Sequence, residues 1–270
     1  MFGTLLVKQD RGIILKSARE IELMREAGRV VYRVLKRMEE LAKPGVTTGQ
    51  LNSVAEEMIA EAGGTPLFKG VENPPAKFPF PAALCTSINE ELVHGIPGDR
   101  VLQEGDLLSI DCGVRLAGYC GDSAVTIPIG EVADEIRHLV EVTEKALCLA
   151  IDRIRPHKMW SEVARRIQAY VEGEGLSIVR KFVGHGIGRE LHEDPKVPNY
   201  WVQGQEKMDF KLSPNLVIAV EPMVNLGGQR VRFGDDDGWV VVTKDGKCCA
   251  HFEHTVAVTK DSVDVLTDGR

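Results

Sequence analysis

The sequence predicts a mixed α/β fold made of two halves of like topology, and three observations predict it. A pair of amphipathic helices followed by short β-rich segments occurs twice along the 270 residues, once from Ser17 and again from about residue 132. His94-Gly95-Ile96 in the first half is matched by His185-Gly186-Ile187 in the second, each after a short apolar stretch. The ten-residue segments Leu102 to Asp111 and Leu212 to Glu221 both begin on Leu, cross turn residues and a β-rich run, and end on a carboxylate. Repetition of this kind points to two half-domains that share one site. The expected division is a short extension over 1–16 and one domain over 17–270, with halves at about 17–127 and 128–265.

The first helix is read from Ile21, Met24, Ala27, Val31, Leu35, Met38 and Leu41, which recur at helical spacing, with Ser17 and Glu20 as a capping box. Lys43-Pro44-Gly45 stops it; Thr47 with Gln50 caps a second helix through Leu51, Ala55 and Ile59, which Gly63-Gly64 ends. Residues 68–81, rich in Pro, Phe and Lys without a period, predict an irregular loop, and short strands follow from Leu84. A third helix is expected from about Val132 to Ile154, broken by Arg155-Pro156, and a fourth from Ser161 to about Val171.

Composition excludes several classes. With 43% hydrophobic and 27% charged residues the chain reads as globular, and its net charge of -7 without a Lys/Arg run argues against a nucleic-acid surface. No apolar run approaches the roughly 20 residues of a membrane span, and no basic region followed by an apolar stretch opens the chain. Cys85, Cys112, Cys120, Cys148, Cys248 and Cys249 show no CxxC spacing, which predicts reduced thiols and a cytoplasmic protein.

Five residues stand out chemically. Leu107 to Val114 and Tyr119 to Ile127 read as a hairpin turning near Leu116, Ala117 and Gly118. A loop of 116 and 117 puts Asp111 directly opposite Asp122; a loop of 117 and 118 makes them diagonal neighbours; a three-residue loop separates them unless a bulge restores the alignment. Facing aspartates in an apolar hairpin repel each other, and a bound cation relieves this. Glu221 ends the apolar run 216–220, Glu253 lies in the strand-like stretch Cys249 to Val258, and His185 is flanked by Gly184 and Gly186. Taken singly, each is more often a surface carboxylate or a histidine satisfied by a carbonyl than a ligand. Together, four carboxylates and one imidazole at strand ends form a hard donor set suited to a pair of Mn, Fe(II), Co or Zn ions. Two such ions about 3.5 Å apart can activate a hydroxide for attack on a carbonyl.

Several strings then carry a resemblance: 88–97 (Ile88-Asn89-Glu90-Glu91-Leu92-Val93-His94-Gly95-Ile96-Pro97), Gly184-His185-Gly186-Ile187-Gly188-Arg189 with His192-Glu193-Asp194-Pro195, Ala219-Val220-Glu221-Pro222-Met223, and Phe252-Glu253-His254-Thr255-Val256. From Ile21 to Val265 the chain resembles the type I methionine aminopeptidase family, whose pseudo-twofold pita-bread fold is an antiparallel sheet with helices on its outer face. The resemblance implies that Asp111, Asp122 and Glu253 bind one metal, and that Asp122 and Glu253 bridge to a second completed by His185 and Glu221. It further implies removal of the initiator methionine from peptides and nascent chains with a small second residue. Glu221 would move the proton toward the leaving amine, His192 would stabilise the tetrahedral oxyanion, and His94 would hydrogen-bond the substrate near the scissile amide.

The family's methionine pocket falls on Cys85, Phe80, Leu191 and Trp239, apolar walls that suit a Met side chain. Leu191 stands where the family usually has Phe, the tyrosines expected upstream of Cys85 are absent, and segments 71–81 and 199–211 differ from the usual loops at the rim. His251 and His254, flanking Glu253, read as groups that orient ligands, and His138 and His157 as residues on or beside an exposed helix. An Xaa-Pro-directed enzyme would use the same five ligands, but such relatives usually carry a large extra N-terminal domain, whereas about 16 residues precede the first helix here. A non-catalytic member would typically lose ligands that are all present. The family reading expects a monomer, no membrane or nucleic-acid partner, and any transient ribosome contact to use the domain's own surface.

Overall fold

Ser17 opens the first helix in the computed structural model of the protein, which describes residues 12–74, 76–234 and 237–270. Its hydroxyl accepts the Glu20 N–H, and the Glu20 carboxylate accepts the Ser17 N–H at 2.8 Å, so α1 (Ala18–Leu41) begins with the predicted reciprocal box. Thr47 and Gln50 do the same for α2 (Thr48–Glu61). Most of the expected extension, residues 1–11, lies outside the described residues; 12–16 carry no regular structure. Short strands follow: β1 (Thr65–Pro66), β2 (Leu84–Ile88) and β3 (Glu91–Val93), then the long hairpin of β4 (Leu107–Leu116) and β5 (Tyr119–Pro128).

The second half repeats the order. α3 (Asp134–Arg153) starts two residues later than the periodicity predicts, with Ala133 at its cap offering no side-chain bond, and α4 (Trp160–Gly173) follows the Arg155-Pro156 break. Then come β6 (Ser177–Ile178), β7 (Gly184–Gly186), β8 (Glu193–Val197), β9 (Val217–Val220), β10 (Met223–Asn225), β11 (Val231–Phe233), β12 (Val241–Thr243), β13 (Cys249–His251), β14 (Glu253–Val258) and β15 (Val263–Val265). The expected continuous strand from Cys249 to Val258 is thus two strands. Phe252 breaks it because β13 pairs with β10 in a small sheet, whereas β14 turns into the large one.

The large sheet is antiparallel, in the order β1-β4-β5-β14-β9-β7-β8, with β2 also on β4 and β15 also on β14. Strand alternation sorts its two faces. Leu108, Ile110 and Cys112 of β4 pack with Val31, Leu35 and Met38 of α1 and Leu51 and Ile59 of α2. Ile218 and Val220 of β9 and Val256 and Val258 of β14 pack with Leu139 and Val142 of α3 and Trp160 and Ile167 of α4. Each helix pair therefore has its own core on one face of the sheet. The residues between these positions, Ser109, Asp111, Asp122, Ala124, Glu253 and Thr255, turn to the other face.

The segment 199–211 packs differently from the rim loop the sequence predicts. Phe210 stacks on Trp160 at 5.8 Å and the Arg165 guanidinium covers Trp201 at 5.4 Å, so these two rings cover α4, while Tyr200 packs on Arg180 and Asn199 reaches toward the site. Segment 71–81 does reach the site face, through Phe80. Among the described residues, no helix is long and apolar enough to cross a membrane.

Candidate metal centre

The turn between β4 and β5 decides where two carboxylates go. Leu116 pairs with Tyr119, leaving a loop of Ala117 and Gly118 at φ 50° and 81°. Two consecutive left-handed residues make the turn whose twist matches the flanking strands, and glycine occupies its second position without strain. Of the registers open to the sequence, this is the diagonal one: Asp111 lies opposite Ala124, and Asp122 opposite Gly113. From the other side of β5, β14 brings Glu253 opposite the same Ala124. A small residue is therefore flanked by two carboxylates, with a third two positions along its own strand.

The second half supplies the remaining groups. Glu221 follows directly on β9, and His185 sits in β7, whose Gly186 pairs with Ile218 of β9. Asp122, His185 and Glu253 present donor atoms within 4.8 Å of one another. His185 Nε2 is 3.6 Å from Glu221 Oε1 and 4.0 Å from Asp122 Oδ2, and Asp111, opposite Ala124, is the diagonal neighbour of Asp122 on the same face. All five residues singled out from the sequence are thus brought together. They are not all at strand ends, however: Asp111 is the fifth and Asp122 the fourth residue of ten-residue strands. The hairpin runs on past the site on both sides, and β14 and β9 reach it only with their ends.

Electrostatics make this arrangement costly without a cation. Burial is the first cause of a raised pKa at all four carboxyls. It moves Asp111 to about 7 and, with repulsion from Asp111, Glu221 to about 8. Asp122 and Glu253 lie well above the usual range, through burial and then the surrounding carboxylates. Asp111 Oδ1, Asp122 Oδ1 and Glu253 Oε1 are buried without a hydrogen-bond partner among the described residues. His185 Nδ1 lies 3.0 Å from the Gly186 carbonyl, and a proton assigned there leaves the Nε2 lone pair facing Asp122 and Glu221. Buried, unpartnered carboxylate oxygens and an imidazole lone pair gathered on one face fit divalent cations, which would supply the partners these acceptors lack.

The surrounding histidines separate by face. His251 Nε2 approaches Glu221 at 3.9 Å and Glu253 at 4.0 Å, within reach of both glutamates. His254, one residue from Glu253, turns instead to the helix side, where Nδ1 meets Thr267 Oγ1 at 2.8 Å and Ser123 Oγ at 3.3 Å. The expectation that both histidines orient ligands is therefore corrected for His254, because adjacent strand residues point to opposite faces. His192 is exposed, and its ring meets that of His185 in an edge-to-face contact at 4.4 Å. His94 packs edge-on against Phe182 at 5.9 Å and Trp239 at 6.3 Å; burial, then His192, lowers its pKa to about 4. His138 is on the exposed side of α3, and His157 lies just beyond that helix.

The four expected pocket residues also share one place. Phe80, Cys85 and Trp239 are buried in a single apolar cluster with Tyr119 and Ile187, and Leu191 packs on its edge. Phe80 and Trp239 meet at 5.1 Å, Trp239 Nε1 donates to the Phe78 carbonyl, and Cys85 pairs with Asp111 across the β2–β4 ladder. Three contributors do not stand out in the sequence, although Thr255 lies inside one of the matched strings. Phe182 forms one wall beside His94, Asn199 Nδ2 donates to the Glu221 carbonyl at 2.9 Å, and Thr255 Oγ1 donates to the Asp122 carbonyl at 2.8 Å while accepting the Asp122 N–H.

Residues 22–260 match the model of metallopeptidase family M24. The chain belongs to that family. Within M24 it is 47% identical over 94% of its length, and 99% of the relative's, to methionine aminopeptidase 1 of Bacillus subtilis. The crystal structure of methionine aminopeptidase from Thermotoga maritima superposes with a TM-score of 0.88 at 39% identity, covering 95% of this chain and 99% of that one. These matches put the chain among the methionine aminopeptidases of M24, with their pita-bread fold. An Xaa-Pro dipeptidase from Bacillus anthracis shares the fold alone, at 21% identity and a TM-score of 0.73, covering 95% of this chain but 62% of that one.

Proposed function

We propose that this M24 member removes the initiator methionine from peptides and nascent chains whose second residue is small, using two divalent ions. The observation that carries the reading is the convergence of buried, mutually repelling acceptors from both halves of the chain. Asp111, Asp122 and Glu253 would hold one ion, and Asp122, Glu253, His185 and Glu221 the other; the donor set suits Mn, Fe(II), Co or Zn. When bound, such ions polarise the scissile carbonyl and make hydroxide available at neutral pH.

The chain's own groups do the rest. Glu221, at the end of β9 beside the other site carboxylates, would carry a proton to the leaving amine nitrogen. The neutral imidazole of His192 donates to the oxygen that gains charge as the carbonyl carbon becomes tetrahedral, and His94 holds the substrate near the scissile amide. Phe80, Cys85, Leu191 and Trp239 enclose the methionine side chain. Residues 17–270 act as one catalytic unit of two halves, about 17–127 and 128–265, in a cytoplasmic monomer that meets the ribosome only transiently.

A peptide panel tests this. The Mn-, Co- or Fe(II)-loaded protein should release free methionine from Met-Ala-Ser and barely touch Met-Lys. Hydrolysis of Xaa-Pro peptides without methionine release would replace this reading with a proline-directed one.

A further inference from the structure

We propose that Lys16 is a positioning residue for His192, acting through Glu193; the inference rests on the catalytic role given to His192 above. His192 is the exposed last residue of loop 187–192 between β7 and β8, and Glu193 opens β8. An imidazole that must meet a developing charge needs its ring held to within a fraction of an ångström. The restraints on this loop converge on one carboxylate. Glu193 Oε1 accepts the backbone N–H of Arg189 at 2.9 Å and of Glu190 at 3.3 Å, closing the loop on itself, while Oε2 accepts from Lys16 Nζ at 2.6 Å.

Lys16 is in turn fixed. Its backbone N–H donates to the Asn215 carbonyl at 2.8 Å, and its Nζ makes a second bond, to the Ile14 carbonyl, at 3.0 Å. The ion pair is nearly closed to water, with side-chain exposures of 4% and 10%. Lysine is seldom buried so far, and a buried pair contributes less stability than apolar residues of the same size would, so a role in holding register accounts for it better. Gly188 supplies independent support. A Cβ there would lie 2.4 Å from Lys16 Cε and 2.6 Å from Glu193 Oε1, so only a residue without one leaves room for the lysine stem to reach its partner. The segment before α1 thereby sets the geometry of a loop in the other half of the molecule, with His192 in its last position.

The test uses the metal-loaded full-length protein and Met-Ala-Ser. Lys16→Met should lower kcat at least about tenfold with KM changed by less than about threefold and metal content unchanged. The double variant Lys16→Met/Glu193→Gln removes both charges and keeps an acceptor for the two loop N–H groups. It should melt within a few degrees of the parent while kcat stays low, which a purely structural role would not produce. In a His192→Ala background, Lys16→Met should cost less than about twofold, because the two residues act through one event. Parental kcat in either folded variant, or an undiminished loss in the His192→Ala background, overturns the inference while leaving the proposed function standing. Parental kcat in His192→Ala itself would overturn the role of His192 and this inference with it.

Discussion

Stripping the divalent ions should make the protein lose stability as pH rises. The four site carboxyls titrate higher in the folded chain than in the unfolded one: Asp111 moves from 3.8 to about 7, and Glu221 from 4.5 to about 8. Below the unfolded values of about 4 both states are protonated and the site costs nothing. As pH climbs, the unfolded chain releases its protons first, the folded state binds more of them, and stability falls until the folded groups have also ionised, above about 8. The shift at Asp111 alone corresponds to a ceiling of about 4 kcal/mol. His94, His185, His251 and His254, kept neutral by burial, act in the opposite sense below their unfolded value of about 6.5. The carboxyls, whose coupled shifts do not add, therefore govern the profile above it, and a loss of a few kcal/mol between about pH 7 and 8.5 is expected. For a chain of this size that is roughly 10 °C in melting temperature. The metal-loaded protein should show a much flatter profile, since ligation requires the ionised forms, and loading at pH 7 should release protons into a weakly buffered solution. Thermal melts of EDTA-dialysed and Mn-loaded protein across that range measure both effects. A metal-free melting temperature that rises with pH, or metal uptake without proton release, would refute the electrostatic account.

Three further outcomes follow from the geometry. Asp122→Asn or Glu253→Gln should abolish methionine release and weaken metal uptake, yet leave the metal-free protein more stable than the parent at pH 8, as melts and metal titrations would show; full activity in either variant contradicts the ligand assignment. Trp239→Ala removes the ring packed on Phe80 and should raise KM for Met peptides at least about tenfold, with a smaller effect on kcat, read from steady-state kinetics. Gly28→Ala would set a Cβ 2.0 Å from the Leu266 carbonyl oxygen, forcing α1 off the chain that follows β15; urea denaturation should show a loss of about 3 kcal/mol with no change in metal affinity.

Local chemistry made much of the fold legible. Ser17 with Glu20 and Thr47 with Gln50 mark helix starts because their reciprocal bonds involve residues three apart, so the sequence holds the whole motif. α3 starts later than its apolar period suggests because Ala133 provides no such mark. The Asp111–Asp122 relation was narrowed to a few registers by strand alternation, but the choice belonged to the turn at Ala117 and Gly118. Meeting of Glu253 with Ala124, or of His185 with Glu221, depends on long-range strand order that no local pattern contains; there the family resemblance supplied what periodicity did not. Asn199 and Phe182 were illegible for the same reason, being brought to the site by segments whose own sequence has no chemical motif.

The position of β14 has a consequence for biosynthesis. The aspartate hairpin emerges from the ribosome long before Glu253, and at roughly 5–20 residues per second the wait lasts several seconds or more. Until β14 slides between β5 and β9, the middle of the sheet is an open seam and no complete cage for an ion exists. Competence would therefore be switched on by nearly the last strand to be translated, since a product stalled before β14 would hold Asp111, Asp122, His185 and Glu221 but lack Glu253.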